Sequence, residues 1–327
     1  MILVTGASGL VGNYIVRDLL KKEYKVRAIK RSSTNLELLA DIKNEIDWVE
    51  ADVLDEISLN NTFIGVTKVI HAAAIVSYNK KDHKAMNEVN VKGTANIVNC
   101  CLRHKVEKLI HISSIAALGR PSIDGAIQSE TTKWEESKYN TAYAFTKHLA
   151  ELEVWRGQEE GLSVAIVNPS IILAPGNWEQ SSTKVFKYIW SGGKLYPKGK
   201  VNYVDIRDVT NAVIKLLELP IEGERFILNS GSVLYKDFFR LIANQFKKKP
   251  PFLSVNRTLY IFAYVFESVK AIITGKDALI TRETIRLSRM ENSYDNGKAR
   301  DLLAMEFTDL EDTIEWTCSS LIKKYSF

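Results

Sequence analysis

The chain has 327 residues, 46% hydrophobic and 25% charged, a globular balance that excludes disorder, collagen-like repeats and coiled coil. At about 150 residues per domain this makes one large domain or two modest ones, long enough to bury a core without disulfide or metal staples. The net charge of +5 is too mild to mark a nucleic-acid surface, and the basic run Lys247-Lys248-Lys249 reads as a solvated helix end.

The N-terminus runs from Met1 straight into an apolar strand and a glycine turn, without the pattern of a signal peptide, so the fold is expected to begin at residue 1. Short β-branched apolar runs at 2–4, 25–29, 47–50, 68–71, 108–112 and 163–167 alternate with helical patterns at 10–22, 83–103 and 140–160. This rhythm predicts an α/β fold with a doubly wound parallel sheet, its strands covered on both faces. After Pro169 the chain turns rich in loop residues. It resumes the strand and helix rhythm at 201–230, with Asp208 as the expected cap of a helix through Leu219, and becomes mostly helical from 231. The expected organisation is a nucleotide-binding domain at 1–170, with 201–230 returning to it, and a smaller substrate domain at 171–200 and 231–327. The apolar stretch 259–273 is broken by Glu267 and Lys270 and is too short to span a bilayer. It lines a pocket for a hydrophobic substrate, packs internally or touches a membrane surface. Cys100 and Cys101 are adjacent and Cys318 stands alone, giving no metal-ligand spacing and pointing to a reduced, cytoplasmic compartment.

The first strand leads into Thr5-Gly6-Ala7-Ser8-Gly9-Leu10-Val11-Gly12 and then a helix. In that context Gly6 permits a tight turn, Gly9 lets the backbone approach a pyrophosphate, and Gly12 allows close packing of helix on strand. The N–H groups around Ser8, Leu10 and Val11 then face phosphate at the positive end of the helix dipole. The second strand ends Lys30-Arg31-Ser32 with no acid. An NAD site usually carries a carboxylate there, whereas Lys30 and Arg31 suit a 2′-phosphate. NADP(H) is therefore the preferred cofactor, with NAD(H) possible. Asp52, followed by Val53, is placed to accept from an adenine amino group, and Ala72 and Ala73 leave room for the cofactor.

Three Tyr/Lys pairs stand four residues apart, at 143/147, 196/200 and 294/298. The last two enclose Gly or Pro, so only Tyr143 and Lys147 open a long helical pattern and share one helix face. Ser113 and Ser114 end the fifth strand, on the side where open parallel sheets bind ligands.

With the glycine turn, Asp52, His71-Ala72-Ala73, Asn90-Val91-Lys92-Gly93-Thr94, Ser113-Ser114, Tyr143/Lys147, Asn168-Pro169-Ser170, the 203–209 run and the 297–303 run, the chain resembles an extended short-chain dehydrogenase/reductase. That group includes nucleotide-sugar epimerases, dihydroflavonol and cinnamoyl-CoA reductases, and 3β-hydroxysteroid dehydrogenases. The resemblance implies that Tyr143 is a general acid/base, that Lys147 stabilises its phenolate and binds the nicotinamide ribose, and that Ser114 holds the substrate oxygen. It places Asn168 and Pro169 at the cofactor and implies a homodimer through helices 83–103 and 140–160. Asn90 serves either a structural hydrogen bond or catalysis, while His71 and His111 read as core histidines. Ser114-Ile115-Ala116 stands where dehydratases resemble one another in Thr-Asp-Glu, so water elimination is not expected. The 168–176 segment resembles that of dihydroflavonol reductase-like proteins. The expected activity is NADP(H)-dependent interconversion of a carbonyl and an alcohol on a small, hydrophobic substrate. Alternatives are a nucleotide-sugar epimerase with tightly bound NAD, and a non-catalytic NADP-sensing protein.

Overall fold

The computed structural model describes residues 1–120, 125–178, 181–255 and 282–325; the apolar 259–273 segment lies outside them. The strands among the described residues run in chain order as β1 (Ile2–Thr5), β2 (Val26–Lys30), β3 (Asp47–Glu50), β4 (Lys68–His71), β5 (Lys108–Ile112), β6 (Ile127–Gln128), β7 (Val164–Pro169), β8 (Ile171–Leu173), β9 (Leu195–Tyr196), β10 (Lys200–Asp205), β11 (Glu224–Leu228), β12 (Gly231–Leu234), β13 (Leu253–Ser254) and β14 (Ser293–Tyr294). Seven of them form one parallel sheet in the order β11-β7-β5-β4-β1-β2-β3. The chain winds outward from β1 in one direction and from β4 in the other. That reversal opens a crevice at the carboxyl ends of these two strands.

The helices among the described residues are α1 (Leu10–Lys21), α2 (Glu56–Thr62), α3 (His83–Met86), α4 (Gly93–Arg103), α5 (Ala142–Glu159), α6 (Lys184–Trp190), α7 (Ile206–Glu218), α8 (Tyr235–Gln245), α9 (Arg282–Leu287), α10 (Gly297–Leu302) and α11 (Leu310–Tyr325). One face of the sheet buries Ile15, Leu19, Val209 and Val213 from α1 and α7. The other buries Leu59, Ile97, Val98 and Val154 from α2, α4 and α5. Coverage on both faces explains why β5 and β7 are buried throughout. The expected helix 83–103 is continuous in direction but carries a π-helical segment at Asn87–Lys92, a geometry often found next to functional sites.

β10 pairs with β8 and β12 in a separate small sheet, so within 201–230 only α7 and β11 rejoin the main layers. Phe186, Phe238, Phe239, Ile242 and Ile314 form a second core beside that sheet. The cap of α7 is Asp205, whose carboxylate accepts from Arg207 N at 2.7 Å. Asp208, the expected cap, lies inside the helix and is buried, accepting from the backbone and hydroxyl of Thr308 at 2.9 Å each. The shift arises because β10 stays extended through residue 205, which makes Asp205 the last non-helical residue.

Candidate active site

Gly6 has φ +69°, and a Cβ there would lie 2.6 Å from Ala73 N. A Cβ on Gly12 would lie 2.2 Å from Gly6 O. Glycine is thus required by the close approach of the turn to the Ala72–Ala73 backbone and to its own first residue. Gly9 caps α1 with no side-chain bond to the helix, which leaves the first turn's N–H groups facing the crevice mouth. This is a cradle for an anion, and it fits a dinucleotide pyrophosphate.

The other expected cofactor residues follow along the strand ends. Lys30 ends β2, and Arg31 and Ser32 are exposed beyond it. The Lys30 and Arg31 side chains make no hydrogen bond or ion pair among the described residues. Asp52 uses one carboxylate oxygen on Leu54 N at 2.9 Å. Val53 is buried against Gly93, and its carbonyl accepts from Asn96 at 3.0 Å. Pro169 is buried and in register with Leu228.

Thr141 caps α5 by accepting from Ala144 N at 3.0 Å, which sets Tyr143 in the first turn. Its ring is buried beside Met86, Ala116 and Ala144 and meets the edge of Tyr78 at 6.3 Å. Burial raises the phenol pKa above its ordinary value and Tyr78 adds to this, while a hydrogen bond with Ser114 and the charge of Arg120 oppose it. Arg120 thus brings a positive charge within reach of the phenol. Lys147 lies one turn further and is 2% exposed. Its ammonium donates to Ile112 O at 2.9 Å and meets His111 Nε2 at 3.3 Å. Burial, partly offset by the carboxylate of Glu151, brings it down to about 8.

The side chain of Asn168, expected at the cofactor, is buried. It donates to Ser114 O at 2.9 Å and to the Glu151 carboxylate at 2.6 Å. Asn90 binds both polar backbone groups of Ile75 and the Thr146 hydroxyl, so its side chain is spent on structure. His71 bridges the hydroxyls of Thr5 and Thr94 at 2.7 and 2.9 Å. Burial holds it down at about 3, and it is a neutral core histidine. His111 is likewise buried and neutral, but it touches Lys147.

Sequence reading did not single out Tyr78, Arg120, Glu151 or Arg225. Glu151 was accessible to it, one further turn along the Tyr143/Lys147 face; the others are brought in by loops or a distant strand. An open hollow of about 530 Å³ lies at the start of α5, lined by Trp134, Ser137, Asn140, Thr141, Ala142 and Phe145 among others. No cluster of metal-ligating side chains occurs among the described residues, and no helix among them is long and apolar enough to cross a membrane.

A glycine turn on the first strand of a doubly wound sheet, with Ser, Tyr and Lys gathered at the fifth, defines an NAD(P)-dependent enzyme of the extended short-chain dehydrogenase/reductase type. Residues 2–229 match the NAD dependent epimerase/dehydratase family, and the chain belongs to that family. It is 28% identical over 324 residues to a Synechocystis sp. protein assigned by name as a dihydroflavonol 4-reductase, covering 96% of this chain and 93% of that one. It is 27% identical to cinnamoyl-CoA reductase 1 of Petunia hybrida, covering 99% and 92%. Among solved structures, that of gox2253 superposes with a TM-score of 0.84 at 27% identity, covering 100% of this chain and 98% of that one.

Proposed function

We propose that the protein is an NADP(H)-dependent oxidoreductase that interconverts a carbonyl and an alcohol on a small, hydrophobic substrate. The observation that carries this reading is the buried Tyr143 phenol, packed against Ala116 just past the carboxyl end of β5 and one helical turn from the Lys147 ammonium that donates to Ile112 O at 2.9 Å. When bound, the dinucleotide supplies the hydride chemistry; Gly6, Ser8, Gly9, Leu10, Val11 and Gly12 would hold its phosphates. Burial keeps the Tyr143 phenol protonated near neutral pH, as a donor to a carbonyl oxygen must be. Ser114 donates to the same oxygen and fixes its direction. Lys147 is cationic below about pH 8 and favours the phenolate left after proton transfer.

The NADP(H) preference is supported by the acid-free end of β2 and by Lys30 and Arg31, whose side chains have no partner among the described residues. The reductase names of the Synechocystis and Petunia relatives favour exchangeable cofactor over an epimerase that retains NAD. The hollow beside Trp134 and Phe145 offers apolar surface for the substrate. We further place the substrate domain at 171–200 and 231–327, although β10 binds it to the main body. Leu152, 49% exposed on α5, supports a homodimer through α4 and α5. The buried, unbridged cysteines suit a cytoplasmic enzyme.

The test is to denature the purified protein, identify any released nucleotide, and titrate the nucleotide-free form with NADPH and NADH. Tighter NADPH binding by about tenfold, or 1.4 kcal/mol, supports the reading. Stoichiometric NAD surviving purification would replace it with the epimerase.

A further inference from the structure

Glu151 lies one helical turn beyond Lys147 and is 1% exposed. Acidic side chains are almost never so buried without partners. Here three donors converge on its two oxygens. One oxygen accepts from the Ser113 hydroxyl at 2.5 Å and from the Asn168 amide at 2.6 Å. The other accepts from Arg225 at 3.3 Å.

These partners surround the residue that meets the phenol. Ser113 precedes Ser114. The Asn168 amide that donates to Glu151 also donates to Ser114 O at 2.9 Å. Arg225 extends the arrangement to the segment that leads into α5, donating to Glu130 O at 2.8 Å and Thr132 O at 3.0 Å. Glu130 in turn accepts from Ile227 N at 2.8 Å. The end of β5, β7 and the start of β11 are thus joined through one carboxylate, and Arg225 links them to the approach to α5.

We propose that Glu151 is a positioning residue for the Ser114–Tyr143 pair. Through Asn168 it fixes the peptide carbonyl of Ser114, and through Arg225 it ties that strand end to the segment preceding Tyr143. Its role in turnover rests on the oxidoreductase reading; the placement of Ser114 against Tyr143 does not. A glutamine at 151 has the same shape but offers one acceptor oxygen to three donors, and its amide N–H groups confront Arg225 or Asn168. The pair would lose register while the sheet and the glycine turn, which Glu151 does not touch, keep theirs.

The experiment uses full-length protein labelled with [ζ-13C]tyrosine, with the Tyr143 resonance identified by its absence in Tyr143→Phe. In Glu151→Gln and in Asn168→Ala that resonance should move in the direction it moves in Ser114→Ala, with most other tyrosine resonances unchanged. With NADPH and a panel of aldehydes and ketones including 4-nitrobenzaldehyde, kcat should fall about tenfold or more while NADPH affinity is retained. A Tyr143 resonance that stays in place in either folded variant overturns the proposal. If the wild-type protein reduces no member of the panel, the oxidoreductase reading loses its support and the Tyr143 resonance still decides the role of Glu151. If Glu151→Gln does not fold, Asn168→Ala, which keeps the carboxylate, decides alone.

Discussion

Lys147 Nζ lies 3.3 Å from His111 Nε2. The ammonium carries only donors, so the imidazole accepts through Nε2 and carries its own proton on Nδ1. That Nδ1 atom is buried without a partner among the described residues. A cation bonded to a neutral imidazole and one peptide carbonyl is held in place at some cost, and burial duly lowers Lys147 to about 8.

Activity and stability should therefore diverge above pH 8. Loss of the Lys147 charge is expected to lower kcat above about pH 8. Stability responds with the opposite sign: the native state releases this proton near 8 and the unfolded chain near 10.5. Between those values the unfolded chain binds more protons, so the contribution of Lys147 to stability rises with pH. Urea midpoints from pH 7.5 to 9.5 for wild type and Lys147→Met, beside a kcat profile, test both limbs.

Tyr143→Phe removes the proton donor and leaves the ring in its pocket. Turnover should fall by about 10²–10⁴-fold, with NADPH affinity close to wild type. Equal loss of cofactor binding would instead make Tyr143 a binding residue.

The fold should weaken in acid through His71. Its native pKa is about 3 against an ordinary 6.5, so the unfolded chain takes up a proton that the native state refuses. Stability is complete above about pH 6.5 and is lost as the pH falls towards 3. His71→Gln should lower stability at pH 7 and flatten the slope of the urea midpoint between pH 6.5 and 4. An unchanged slope would assign the acid response to other groups, His111 foremost.

The cofactor cradle and the cofactor choice should respond to separate changes. Gly12→Ala puts a methyl group 2.2 Å from Gly6 O and should abolish binding of both nucleotides. Arg31→Ala should reduce NADPH affinity by about tenfold and leave NADH binding unchanged. Fluorescence titration of the two variants with both nucleotides separates the effects.

The parallel sheet, the glycine turn and the shared face of Tyr143 and Lys147 are legible in the amino-acid pattern, because each depends on local periodicity or spacing. The starts or ends of β1 to β5 match their apolar runs to within a residue. Asp205 rather than Asp208 became the cap because cross-strand pairing with β8 extends β10 to that point, which local propensity does not register. Only the folded chain brings the Arg120 charge near the phenol, the Asn168 amide to Ser114 O and Glu151, and donors from β7, β11 and the end of β5 to one carboxylate. Those contacts join residues up to 74 positions apart, and a buried charge is steered by whichever donors the fold brings to it.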